Sequence, residues 1–389
     1  MDGPVWDVAV VGAGPAGAMA AHVAARAGAS VVLLERASLP RYKTCGGGLI
    51  GTSQRLLAEL GLAPEVSVRA ATVTLGGRRA FTRRVDGATL LGMVVRDQLD
   101  AALAEAARAA GAELRQRSAL RALRADGDLV RLDTTGGEVA ARVVVGADGS
   151  ASRVGGHVGV RCGQVDLGLE VELPVGAGTA GDWAGRILLD WGPLPGSYGW
   201  VFPKDGALTV GVIAGRGAGE ATRSYLAEFV ARLGLDGITP RVSSGHLTRC
   251  REPGSPLRKG RVLVVGDAAG LLEPFTREGI SFALRSGRMA GEAAAKAAAR
   301  AGEPEADGEL AGYERAVGAE LLPEMAAGTA LLAAFSRHPL AFHAGLATPP
   351  GWAWFARFCR GQTTFARVVR HRWVSAGLAA MAATPGRAG

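Results

Sequence analysis

A short apolar, β-branched run at residues 6–11 stops at Gly12-Ala13-Gly14-Pro15-Ala16-Gly17 and passes into a small-residue segment at 18–27. The run reads as a buried strand, and the segment as a helix stopped by Gly28. Glycines at this spacing leave the chain few options. The first permits the tight turn out of the strand. The second lets backbone N–H groups approach a pyrophosphate, and the third lets helix and strand pack closely. The helix N-terminus adds partial positive charge. Residues 30–34 read as a second buried strand ending in Glu35, about 20 residues beyond the glycines, where a carboxylate can accept hydrogen bonds from ribose hydroxyls. This is a dinucleotide-binding βαβ unit; the competing interpretation is a glycine-rich turn without a ligand. The fingerprint alone does not choose between NAD and FAD.

Farther along, 54–62, 96–110, 220–233 and 278–300 read as helices, with Leu99 and Leu103 on one face of the second. Strands are expected at 68–75 and 79–85, and alternating strands at 113–142 turn at Asp126-Gly127 and Gly136-Gly137. Residues 143–145 and 261–265 read as further buried strands. Between them, 160–255 is β-rich, with strands expected at 167–175, 185–191, 198–202 and 207–214. From about 308 the chain is helical and Ala-rich, with an aromatic-basic cluster from Trp352 to Arg360. No clean linker separates these parts. The expected class is α/β: a Rossmann-like dinucleotide-binding domain (1–75, 92–160 and 255–305), an inserted antiparallel β-sheet substrate domain (76–91 and 161–254), and a helical C-terminus (306–389).

The formal net charge of +8 fits attraction to phosphates or to an anionic membrane surface. Yet only four of the 44 basic residues are Lys, and Ala is abundant, so most of the excess reads as the coding bias of a high-GC bacterial genome. No basic run interleaved with aromatics suggests a nucleic-acid face. Cys45, Cys162, Cys250 and Cys359 are scattered without metal-ligand spacing, as expected of reduced thiols in a cytoplasm. Asp2 and Asp7, with no basic residue between them, argue against a signal peptide. Pro15 and three glycines argue against a membrane span at 8–25. The cluster at 352–360 reads either as an interfacial membrane contact or as packing on the body.

Two later segments choose the cofactor. Gly146-Ala147-Asp148-Gly149-Ser150 ends one buried strand and Gly266-Asp267 ends another, each placing a carboxylate at a strand's C-terminal edge. With Arg96, in Val95-Arg96-Asp97-Gln98-Leu99-Asp100, this set resembles the FAD-dependent hydroxylase and reductase superfamily. Two more segments, Tyr42-Lys43-Thr44-Cys45-Gly46-Gly47-Gly48 and Pro195-Gly196-Ser197-Tyr198-Gly199-Trp200-Val201-Phe202-Pro203, narrow it. Together they resemble the geranylgeranyl reductase family, over about residues 5 to 330.

The resemblance implies FAD contacts from Gly12, Gly14, Ala16, Gly17, Glu35, Arg36, Cys45, Gly46, Gly47, Arg96, Asp148, Gly266, Asp267, Gly279 and Ile280. Asp267 would face the ribityl chain, and the helix from Glu278 would point its positive end at the flavin pyrimidine. Tyr198, Trp200, Phe202, Pro203 and Pro274 would line a prenyl pocket. On a strand, Tyr198, Trp200 and Phe202 share one face by period two, which also describes an ordinary sheet core. The implied reaction is saturation of isoprenoid double bonds, with NADPH or ferredoxin reducing FAD from outside and Cys45 and Tyr198 as proton donors. The expected location is cytoplasmic, with peripheral membrane contact. Arg277 departs from the family, which commonly has Gly before Glu-Gly-Ile; it is read as meeting an anionic substrate or solvent. Two alternatives accompany this reading. One is an FAD monooxygenase or halogenase, although a halogenase should carry Trp-x-Trp-x-Ile-Pro where this chain has Tyr198-Gly-Trp200-Val-Phe-Pro203. The other is a prenyl-binding protein without catalysis.

Overall fold

β-branched runs with no polar face form the centre of the molecule, because such strands are stable only with both faces covered. The structure, a computed structural model, describes residues 4–303 and 305–383; Asp2, the rest of residues 1–3, residue 304 and residues 384–389 lie outside the described residues. In chain order, the elements that build the site are β1 (Val5–Val11), α1 (Pro15–Arg26), β2 (Val31–Leu34), α2 (Arg96–Ala109), β3 (Gly137–Gly146), β4 (Cys162–Pro174), β5 (Tyr198–Lys204), β6 (Val242–Arg251), β7 (Val262–Val264) and α3 (Ile280–Ala299).

The first sheet runs β7, β3, β1, β2, all parallel, and Glu113–Arg115 extends it. An antiparallel ribbon, Leu120–Asp126 and Leu129–Thr134, adds to β3. Val8, Val10, Val31, Val143, Val144 and Leu263 are fully buried. Parallel pairing needs crossovers, and α1 supplies the first one, between β1 and β2. α3 packs on α1 through small residues: a methyl at Gly287 would overlap the Ala16 carbonyl oxygen, and one at Gly291 would lie 2.6 Å from the Ala20 carbonyl oxygen.

The second sheet is ordered β6, β4, Ala207–Gly215, β5, Arg186–Trp191, Ala70–Leu75, Arg78–Arg84. It is antiparallel except where Arg186–Trp191 runs parallel to Ala70–Leu75, two strands joined by a long excursion through the first sheet. Ala70–Leu75 belongs here because it forms a hairpin with Arg78–Arg84, so the sheet begins upstream of the expected boundary at residue 76. β6 has no apolar alternation to announce it; pairing along β4 makes it a strand.

Helices follow from Glu305 to Ala383. Among the described residues one stretch, Glu305–Arg337, could cross a membrane by length and composition, with mean hydropathy 1.2. Tyr313, Val317 and Met325 nonetheless turn one of its faces into the core. Trp352 and Phe358 are 8% exposed, and Phe358 stacks on Phe365 at 4.1 Å, so much of the aromatic-basic cluster packs on the body.

The backbone of the fingerprint makes a very close approach to itself. Gly12 has φ +104°, and a methyl on Gly17 would overlap the Gly12 carbonyl oxygen and sit 2.9 Å from the Ala147 Cβ. Gly17→Ala is expected to lower unfolding free energy by about 1–3 kcal/mol in urea titrations and to weaken flavin retention. A variant as stable as the parent would contradict this packing.

Candidate active site

One cavity of about 1660 Å³ opens along the carboxyl edge of the first sheet and continues past β5 toward the C-terminal helices. Gly12, Gly14, Ala16, Glu35, Arg36, Cys45, Gly46, Gly47, Arg96, Asp148, Asp267, Gly279 and Ile280 all border it, as do Tyr198, Trp200 and Phe202. Gly17, Gly266, Pro203 and Pro274 do not. Gly17 is consumed by packing, and Gly266 carries φ +52° with its Cα facing Ala16. Pro203 falls on the opposite face of β5 from Trp200 and Phe202 by strand alternation. Pro274 sits behind the cavity wall, where its carbonyl accepts from Gln164 Nε2 at 3.1 Å.

The fingerprint end is a cradle for a dinucleotide. No side chain caps α1, so its first-turn N–H groups are open to an anion. A methyl on Gly14 would meet nothing closer than the Arg41 guanidinium, 3.9 Å away. Glu35, 3% exposed, accepts from Ala13 N and Ala37 N, each at 3.0 Å, and pairs with Arg41 at 3.3 Å. Arg41 also reaches Asp100 at 3.0 Å, and Arg96 grips Asp100 with two N–H groups at 2.9 and 3.0 Å. Burial works against the Arg96 charge, but Asp100 and the Cys45 sulfur outweigh it and keep it cationic. The residues present therefore suit FAD: a bare helix terminus and a spacious glycine at the pyrophosphate, and cations held in place by buried carboxylates.

The two aspartates at strand ends differ. Asp148 spends its carboxylate on the helix Arg153–Val158, accepting from Arg153 N at 2.7 Å, Val154 N at 3.2 Å and the Ser152 hydroxyl. Asp267 stays 32% exposed toward the cavity, with His246 Nε2 at 4.0 Å. Burial alone would raise its carboxyl, yet His246 and Lys43 hold it below the usual range. The first turn of α3, unlike that of α1, is capped by the Glu278 carboxylate, which accepts from Ser281 N at 2.7 Å.

Beyond the cradle, the loop at 45–47 meets the aromatic strand. A methyl on Gly46 would lie 2.8 Å from Phe202 and 3.2 Å from Trp200 Nε1, so the backbone passes directly over these rings. Tyr198, Trp200 and Phe202 follow one another at centroid distances of 6.0 and 6.3 Å. The Tyr198 hydroxyl donates to the Thr276 carbonyl, and burial pushes its pKa up. Farther on, Phe342, Leu346, Trp354, Phe355 and Phe358 make an apolar slot.

Arg277 borders the cavity, but its charge is already paired inside the protein. Its side chain is 4% exposed, pairs with Asp166 at 3.0 Å, donates to Phe275 O at 2.8 Å and lies 5.8 Å from the Tyr198 ring. Its φ is +57°, a left-handed conformation that glycine adopts without strain. Glu273 holds this turn by accepting from the Phe275 and Thr276 N–H groups, and burial pushes its carboxyl up to about 7. Sequence reasoning missed Arg41, Asp100, Lys43 and Glu170. Only Asp100 left a signal, its i,i+4 spacing from Arg96 on a helix.

The FAD binding domain family matches residues 5–172. Digeranylgeranylglycerophospholipid reductase 1 of Methanopyrus kandleri is 33% identical over 324 residues, covering 75% of this chain and 81% of that one. Menaquinone reductase of Mycobacterium tuberculosis is 32% identical over 309 residues, covering 74% and 76%. A geranylgeranyl bacteriochlorophyll reductase-like protein from Thermoplasma acidophilum superposes with TM-score 0.76 at 20% identity, covering 97% and 99%. The cradle and these likenesses define an FAD-dependent oxidoreductase. Within that class, the chain belongs to the geranylgeranyl reductase family.

Asp166→Ala should strand Arg277 as a buried unpaired cation and cost about 3–5 kcal/mol. Adding Arg277→Gly should restore most of that loss, because glycine removes the charge and accepts the backbone angle. Denaturant unfolding of the full double-mutant cycle checks this; simple additivity would contradict it.

Proposed function

We propose that this flavoenzyme saturates carbon–carbon double bonds in the prenyl chain of an isoprenoid substrate. The supporting observation is that a single cavity runs from the dinucleotide cradle, past Cys45 and the Tyr198–Trp200–Phe202 wall, into the slot at Phe342, Trp354 and Phe358. Such a slot excludes water and accepts a long apolar chain whose reacting bond lies at the polar end. Bound FAD, once reduced, supplies hydride to one alkene carbon. Everything else falls to the protein. The aromatic wall holds the chain in register, since an unpolarised alkene reacts only when donor and acceptor are closely placed.

In this reading Cys45 and Tyr198 flank the reacting carbons and take part in the proton step. Cys45 Sγ accepts from Gly47 N at 3.4 Å, which orients the thiol within its loop. The engaged Tyr198 hydroxyl fixes the ring. Gly12, Gly14, Ala16, Glu35, Arg36, Arg96, Asp267, Gly279 and Ile280 hold the cofactor. NADPH or ferredoxin serves as external reductant. The substrate arrives from a membrane surface, where Trp373, 80% exposed, stands beside Arg372 at the end of the slot that Val374 borders. The relatives named for a glycerophospholipid reductase and a menaquinone reductase support a lipid-borne prenyl chain.

Dithionite-reduced enzyme, incubated anaerobically with a prenyl diphosphate, a digeranylgeranyl glycerophospholipid and a menaquinone, should add the mass of two hydrogens per bond to at least one of them. No mass gain with any of the three, or oxygen insertion under air instead, would overturn the proposal. Cys45→Ser and Tyr198→Phe should each slow the reduction; if both keep the parent rate, their assignment to the proton step fails.

A further inference from the structure

Coding bias would spread the excess positive charge along the chain, but it is concentrated at one end. Residues 325–389 hold seven Arg and no Lys, Asp or Glu, so seven of the eight net charges lie beyond Glu324. Among the described residues, none of Arg337, Arg357, Arg360, Arg367, Arg370 and Arg372 forms an ion pair. Arginines of the preceding part behave differently: Arg131 reaches Asp126 and Glu138, and Arg258 reaches Asp307 and Glu314. Arg367, Arg370 and Arg372 are exposed.

The charge gathers at the far end of the slot. Two helices border the cavity there, Pro339–Ala347 through Ala341, Phe342, Gly345 and Leu346, and Arg372–Ala383 through Val374 and Met381. They are joined where His338 Nε2 lies 2.8 Å from the Met381 carbonyl oxygen. The second helix has two apolar faces. Val374 and Met381 face the cavity and Leu378 is buried, whereas Trp373, Ala376, Gly377 and Ala380, at i, i+3, i+4 and i+7, are exposed and uncharged. Leu340, on the first helix two residues from His338, is 45% exposed. The edge strand of the second sheet widens the basic border. Its Arg83 donates to the Ala347 carbonyl at 2.8 Å, and Arg78, Arg79 and Arg84 beside it are exposed.

An apolar helix face flanked by unpaired arginines calls for a cover that is greasy and negative together. A second copy of this chain fails that test, since a two-fold contact would set these arginines against themselves. An anionic leaflet passes it. Its headgroups pair with the arginines, while Trp373 and Leu340 enter the boundary between headgroups and acyl chains. We propose that this C-terminal face docks on an anionic lipid bilayer, with the slot opening into the leaflet so that a lipid-borne prenyl chain enters without crossing water. The use of the docked slot rests on the prenyl-reduction reading.

Flavin-loaded holoenzyme should be sedimented with vesicles of phosphatidylcholine alone and of phosphatidylcholine mixed with phosphatidylglycerol. The expected result is binding to the mixed vesicles, little binding to the neutral ones, and release from the mixed ones as salt is raised. Arg367→Gln combined with Arg370→Gln should weaken that binding about 25-fold, at roughly five-fold per arginine. Flavin content and anaerobic reduction of a detergent-dispersed prenyl substrate should stay at the parent level in this double variant. Trp373→Ala should also weaken vesicle binding with flavin content unchanged. Equal binding to neutral and mixed vesicles overturns the docking, as does a double variant that binds mixed vesicles like the parent. A holoenzyme that ignores both vesicles but forms a dimer lost in Trp373→Ala overturns it in favour of a second copy. A holoenzyme that ignores both vesicles yet reduces the detergent-dispersed substrate sinks the docking and leaves the prenyl reading standing. One that binds mixed vesicles as expected but reduces none of the three prenyl compounds above supports the docking face and sinks the prenyl reading.

Discussion

Gly17 lies so close to the Gly12 carbonyl and the Ala147 side chain that no side chain fits there. This approach seats α1 on the junction of β1 and β3, with its first turn at the carboxyl edge of the sheet. A helix pushed out by even one methyl would aim its N–H groups away from the crevice. The rest follows from that placement. The parallel ends of β1, β3 and β7 meet at one edge, and Asp267 and the cap of α3 reach the same cavity as Gly14. α3 comes close enough only because Gly287 and Gly291 lie on the α1 backbone.

The cavity must then serve two chemistries that want different surroundings. At the cradle, Glu35, Arg41, Asp100 and Arg96 form a buried chain of alternating charge, so cations stand ready for a pyrophosphate without being free to wander. At the far end the walls are aromatic. The loop at 45–47 and the turn at 275–277 lie where the two meet. The first is tied to Glu170 and the second to Asp166, both on one face of β4. A strand of the inserted sheet thus holds two segments of the other domain in register, which is how a two-part fold presents one continuous site.

Much of this was legible in the sequence because it is local. β-branched runs declared the buried parallel strands, the glycine spacing declared the helix that follows β1, and period two put Tyr198, Trp200 and Phe202 on one wall. What escaped is non-local. Glu170 meets Tyr42 and Cys45 across more than a hundred residues of chain, and Arg41 meets Asp100 across fifty-nine. β6 is polar along much of its length and becomes a strand only through β4. Arg277 was read as meeting solvent or a substrate anion; its partner Asp166 lies on β4, 111 residues away, which nothing nearby in the sequence signals. Asp148 borders the cavity, and nothing in the sequence signalled that its carboxylate also accepts from Ser152 and from the helix after it. Pro203 and Pro274 share motifs with cavity residues yet point elsewhere.

The account depends on a prenyl chain lying against the flavin in one continuous space. The direct measurement is a titration of a fully saturated isoprenoid lipid into oxidised holoenzyme, following the visible flavin spectrum. Saturation prevents turnover, so only contact is read. A saturable spectral shift, weakened by widening the wall with Trp200→Ala, is the predicted result. Tight binding of the lipid with an unchanged flavin spectrum would show that the two sites are separate and would contradict the account.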